Sequence, residues 1–98
     1  MRFYFADNKL KRLYTEEKGA RKYPEGVVDA FFEALDVIEG APDERDLYAL
    51  RSLRYEKLKG KRSNQRSLRL NEQFRLVVEQ EEDQEGKFFW IVAIEDYH

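Results

Sequence analysis

With 98 residues, 42% of them hydrophobic and 14% aromatic, the chain has the apolar content for one small domain with a modest core, and a shallow surface site is expected in place of a deep pocket. It has no cysteine and one histidine, which excludes a disulfide framework, a thiolate zinc site, a thiol nucleophile and a multi-histidine metal centre. The net charge of -2 conceals a segregation: from Arg54 to Arg75 there are eight cations against two acids, so this stretch carries +6 and the remainder sums to -8. No segment approaches the roughly twenty apolar residues of a bilayer span. The opening MRFYFADNKL lacks a cleavage signal, so a soluble, cytoplasmic protein with no membrane partner is expected.

In chain order, RFYF predicts a short first strand. Asp7 is a candidate N-cap for a helix carrying Leu10, Leu13 and Tyr14 on one face, and Gly19 is expected to end it. Pro24 and Glu25 are expected to open a second helix, in which Val27, Val28, Phe31, Ala34, Leu35 and Ile38 recur at helical spacing until Gly40 and Pro42 stop it. APDERDLYAL reads as a connection with a short turn of helix. Strand patterns follow: LRYEKL, QRSLRL, FRLVVEQ and KFFWIVAIED, separated by the polar breaks KGKRSN, NE and EDQEG.

Tight polar connections imply an antiparallel meander. The expected fold is therefore α+β, two N-terminal helices packed on a small antiparallel sheet in the order β-α-α-β-β-β-β, as one domain over residues 1–98. The last run is apolar at both parities, which predicts a central strand covered on both faces and a firmly held end. Two helices do not easily cover both faces of such a sheet, so one face is expected to stay partly open. Alternation directs Phe74, Leu76 and Val78 to the core and Arg75 away from it. It likewise turns Arg69 outward, and Arg66, which shares the core parity, is assigned to a frayed strand start. EQEEDQE, Glu79 to Glu85, reads as a solvated hairpin end.

YEKLKGKRSNQRSLRLNEQFRLVV, the closing VAIEDYH and the two-helix N-terminal half together resemble the plasmid-maintenance killer toxins, the HigB-like branch of the RelE/ParE superfamily. The most specific elements are the turn at Leu58, Lys59 and Gly60, the Asn71, Phe74, Arg75 element, and the closing Asp96, Tyr97, His98. Two positions depart from the pattern: Arg66 stands where many relatives carry Trp, and Glu56 where some carry a histidine. The resemblance implies a RelE-like fold and a ribosome-dependent endoribonuclease that cuts mRNA in the decoding site. It also implies a partner antitoxin, a helix-turn-helix protein through which alone operator DNA would be contacted. Lys59, Arg75 and His98 are the working residues it implies.

The chemistry points the same way. Internal attack of a 2′-hydroxyl on its phosphodiester needs a proton acceptor, a proton donor for the leaving 5′-oxygen and positive charge at the phosphorane, and it requires neither metal nor cofactor. Lys59 and Arg75 are the candidates for the charge, Arg75 through its two-pronged fork. His98 is the natural acid or base, with Tyr97 and Asp96 as helpers or substitutes. Nearby cations favour a neutral imidazole and a base's role, while bound phosphate favours the reverse, so both roles stay open. Lys57, Lys61, Arg62, Arg66 and Arg69 are candidate RNA-binding residues. The competing readings are a ParE-like topoisomerase inhibitor and an inactive relative acting only in antitoxin-linked autoregulation.

Overall fold

The structure is a computed structural model that describes residues 1–97. Strand β1 spans Arg2–Phe5 and is followed by helix α1, Asn8–Glu16. Asp7 has an extended backbone and its side chain accepts from the Leu10 amide at 3.2 Å, which makes it the expected N-cap. The helix ends earlier than Gly19: Glu17 turns left-handed at φ 54° and returns its amide to the carbonyls of Arg12 and Leu13. Gly19, at φ 86°, instead opens the 3-10 turn Ala20–Lys22.

Helix α2 covers Val27–Gly40 and begins two residues later than Pro24 and Glu25 suggest, because Gly26 at φ 87° makes the turn into it. Val27, Phe31, Ala34, Leu35 and Ile38 are buried, in agreement with their spacing. The short helical turn expected in the connection is a third helix, α3, Glu44–Ala49. Asp43 and Asp46 close it with a capping box, and Leu47 is driven into the core.

Strands β2 (Glu56–Lys57), β3 (Gln65–Arg69), β4 (Phe74–Asp83) and β5 (Gly86–Asp96) complete a sheet in the order β1-β5-β4-β3-β2. The meander from β2 to β5 is antiparallel as expected, but β1 lies parallel beside β5 and the sheet is mixed. No turn signal announces that pairing, because its partners lie at opposite ends of the chain and meet through a crossover. The acidic run extends β4 to Asp83, and a two-residue turn then leads into β5.

The three helices pack on one face of the sheet, where Leu10, Leu13, Phe31, Leu35, Ile38 and Leu47 meet Leu68, Leu76, Val78, Phe89 and Ile91. Burying such a side chain contributes about 1.5–3 kcal/mol. The other face carries no helix, which corrects the reading of β5 as covered on both sides. The double-parity apolar pattern of β5 has another origin. Val77 pairs with Ala93 and Val78 with Ile91, so Val92 is an extra residue and the strand reverses its faces there. Before this bulge Phe89 and Ile91 face the helices; after it Ile94 does, opposite Leu76, while Ala93 and Glu95 take the open side. Among the described residues no helix is long and apolar enough to cross a membrane.

Candidate functional site

The open face has two ends. Towards the β4–β5 turn it carries aromatic rings: Tyr4 and Trp90 flank Phe88, Arg2 lies over the Phe88 ring at 5.2 Å, and the Trp90 indole N–H donates to Glu81 at 2.9 Å. Towards the β3–β4 loop it carries a basic corner. Register places Arg69 opposite Arg75 and Arg75 opposite Glu95. A shallow depression of about 100 Å³ opens there between Arg54, Glu56, Ser67, Arg69, Arg75 and Tyr97.

The loop between β3 and β4 explains why asparagine precedes the aromatic and the arginine. Asn71 Oδ1 accepts from the amides of Gln73 at 2.8 Å and Phe74 at 2.7 Å, which closes the turn and starts β4 in register. The Asn71 carbonyl accepts from the Tyr97 hydroxyl at 3.2 Å and from Arg69 Nε at 3.3 Å. The Tyr97 amide donates to the Gln73 carbonyl at 3.0 Å. One asparagine thus fixes the loop, the ring of Tyr97 and the stem of Arg69. Arg75 lies over the Tyr97 ring at 5.5 Å, a cation–π contact that orients the guanidinium.

Glu95 is the residue that sequence reasoning missed. Its carboxylate takes two bonds from Arg62, at 3.1 and 2.6 Å, and one from Arg75 Nη2 at 3.2 Å. The Arg62 bonds chiefly, with Arg75 behind them, hold its carboxyl below the usual carboxylate range against the opposing pull of partial burial. An acid shared by two arginines keeps them apart and aimed. Arg75 Nε is buried and has no hydrogen-bond partner. No signal in the sequence finds Glu95: strict alternation along β5 puts it with Phe89 and Ile91 on the helix face, and only the bulge in the ladder turns it to the other side.

The other candidates separate. Arg62 joins the corner through Glu95. Lys59 immediately precedes the 3-10 turn Gly60–Arg62 that carries Arg62, and Gly60 at φ 69° takes a conformation that favours glycine. Lys57, Lys59 and Lys61 are all exposed along this edge. Asp96 belongs to the opposite parity, facing Phe74 in the ladder, and accepts from Gln73 Nε2 at 2.7 Å. Arg66 is not at a frayed strand start. It sits within β3 opposite Val78 on the helix face, and its Nε donates to Glu44 at 3.0 Å. Glu44 also accepts from the Tyr55 hydroxyl, and burial together with that carboxylate pushes the phenol of Tyr55 well above its ordinary range. His98 lies outside the described residues.

A family model described as the RelE-like toxin of the type II toxin-antitoxin system HigB matches residues 3–90. The chain is similar to Toxin HigB-1 of Vibrio cholerae, with 32% identity over 79 residues that make up 81% of this chain and 83% of that protein. Among solved structures, a YoeB/ParE toxin from Agrobacterium tumefaciens superposes with a TM-score of 0.59 at 13% identity, with 100% of both chains covered. The RelBE2 toxin-antitoxin complex from Mycobacterium tuberculosis gives a TM-score of 0.49 at 19% identity over 97% of this chain and 95% of that one.

Proposed function

The chain belongs to the HigB-like family of RelE-like toxins of type II toxin-antitoxin systems, and from that premise we propose that it is a ribosome-dependent endoribonuclease acting on mRNA. The observation that carries the proposal is Arg75, held over Tyr97 and against Glu95 on the open face of the sheet, with Arg69 and Arg54 around one shallow depression. A guanidinium in that setting presents two parallel donors to the non-bridging oxygens of a phosphodiester.

In the proposed reaction the 2′-oxygen attacks the adjacent phosphorus and the bond to the 5′-oxygen breaks, leaving a cyclic phosphate and a 5′-hydroxyl. A base removes the 2′-proton and an acid supplies one to the leaving oxygen. His98 is assigned to proton transfer and Arg75 to the charge of the phosphorane. Lys59, Arg62 and Arg69 hold flanking phosphates, with Lys57 and Lys61 behind them on the exposed edge. These groups supply charge and protons by themselves, so the step is assigned no metal. Tyr97 is assigned a positioning role through its ring, and Asp96 a structural one through Gln73. Arg66, which is committed to Glu44 on the far side of the sheet, has no part in this step.

The state of Arg75 supports ribosome dependence. Its guanidinium is already engaged by Glu95, and the depression beside it is small, so naked RNA is bound weakly until another surface presents the phosphate. A helix-turn-helix antitoxin is the proposed neutralising partner, and residues 1–98 are taken as one toxin domain. A purified translation system tests the reading. Translated mRNA is expected to be cut and the same RNA without ribosomes to stay largely intact, while His98→Gln arrests cleavage at an unchanged melting temperature. Equal cutting of both RNAs would remove ribosome dependence, and cleavage by His98→Gln within a few-fold of wild type would move the proton transfer elsewhere.

A further inference from the structure

A second basic site lies on the helix side of the molecule. Lys9 and Arg12 stand one turn apart on α1, and Lys18 and Lys22 follow after the chain reverses. The left-handed residues Glu17 and Gly19 fold the second pair back beside the first. The result is a depression of about 340 Å³ that all four cations line, with Asn8 and Tyr23 and no carboxylate. All four are exposed, and among the described residues none is held in an ion pair. Asp7 caps α1 through the Leu10 amide and lies close enough to the hollow for its charge, after burial, to help raise the phenol of Tyr23.

Four like charges around one hollow repel one another and are stabilised by a bound polyanion. The hollow is far larger than the roughly 30 Å³ share of one water. Its apolar lining comes from Leu13, the Tyr23 ring and the aliphatic stems of the cations, and the charge around it is of one sign. Lysines act as mobile point charges and Arg12 as a fork, a combination suited to a run of phosphates.

We propose that the α1 hollow is a second RNA site, which takes the phosphodiester backbone of a folded RNA while the Arg75 corner takes the strand to be cut. The proposal rests on the nuclease reading only for its choice of RNA. The two sites lie on opposite faces of the sheet, since α1 packs against the core face through Leu10 and Leu13. A protein gripping structured RNA with one face and the scissile strand with the other gains from a substrate presented inside a large RNA assembly.

The test uses the full chain carrying Arg75→Ala, which removes the cation assigned to cleavage so that the probe stays intact, and a labelled blunt-ended RNA duplex as probe. Arg12→Glu with Lys22→Glu is expected to weaken duplex binding about tenfold or more and to flatten the salt dependence by about two phosphate contacts. Lys11→Glu with Arg21→Glu makes the same charge change outside the hollow and is expected to weaken binding by no more than about threefold. Equal losses in both pairs, or no loss in the first, would overturn the site. Displacement of the duplex by polyglutamate as effectively as by unlabelled duplex would also overturn it, in favour of an acidic protein partner. Should the charge reversals disturb folding, Arg12→Gln with Lys22→Gln reads the same loss at smaller amplitude. Cleavage of translated mRNA by the wild type is scored separately: loss of duplex binding in the first pair with no cleavage would end the nuclease reading and leave this site standing.

Discussion

Arg66 and Arg75 stand on neighbouring strands, and each is engaged by a glutamate, yet they do different work. Arg66 faces the helices. There its carboxylate partner Glu44 is fixed at the start of α3 and shared with Tyr55, and the side chains of the pair are only 15% and 16% exposed. Arg75 faces the side without helices, where its partner Glu95 is shared with Arg62 and is 31% exposed, the Tyr97 ring lies against the guanidinium, and a depression adjoins it. The face of the sheet, more than the residue type, decides whether a cation is spent on the fold or left for a ligand.

The largest effect that would sharpen this contrast is on cleavage. Arg75→Lys keeps the charge and loses the fork, so the rate on translated mRNA is expected to fall on the order of 100-fold with little change in the urea midpoint. Cleavage close to wild type would reduce Arg75 to a generic cation and erase the distinction between the faces. Next in size is a stability effect on the other face. Arg66→Ala leaves Glu44 and the Tyr55 hydroxyl without their third partner and is expected to lower the unfolding free energy by about 2 kcal/mol, read from urea titration. The same substitution at Arg75 should lower it by less than half as much, since Glu95 keeps Arg62 and its solvent access.

The smallest effect concerns Glu95 and pH. Its carboxyl is held below the ordinary range in the folded state, so its ion pairs stabilise fully above the unfolded value of about 4.3 and lose that contribution as pH falls through the folded value. Stability titrated over acidic pH should therefore fall more steeply in wild type than in Glu95→Gln, by less than about 1 kcal/mol for a cluster that solvent still reaches. Identical slopes would mean that the two arginines are aimed by something other than Glu95.

Much of the architecture is written in local signals. The spacing of Phe31, Leu35 and Ile38 specifies a helix with one buried face, Asp7 caps α1, and the polar breaks after β2, β3 and β4 specify an antiparallel meander. The family was legible as well, because its turn residues and its Asn71-to-Arg75 element are contiguous stretches with a structural purpose. Asn71 shows why: the geometry that closes the loop is the geometry that places Arg75.

What the sequence could not decide were the pairings between distant residues. The parallel neighbour of β5 is β1, a partner set by a crossover through the helices and by no turn. The bulge at Val92 reverses the faces of β5 in mid-strand, and periodicity carries no mark of it, since apolar residues stand on both sides of the step. That reversal alone brings Glu95 to Arg75 and Arg62. The α1 hollow is of the same kind: Lys9, Arg12, Lys18 and Lys22 are scattered among acids along the chain, and only the left-handed turn at Glu17 and Gly19 gathers them around one space. Short-range spacing fixes which face of an element is apolar, because helix and strand periods act within a few residues; which charges meet depends on register and chain reversal, and these the tertiary structure alone decides.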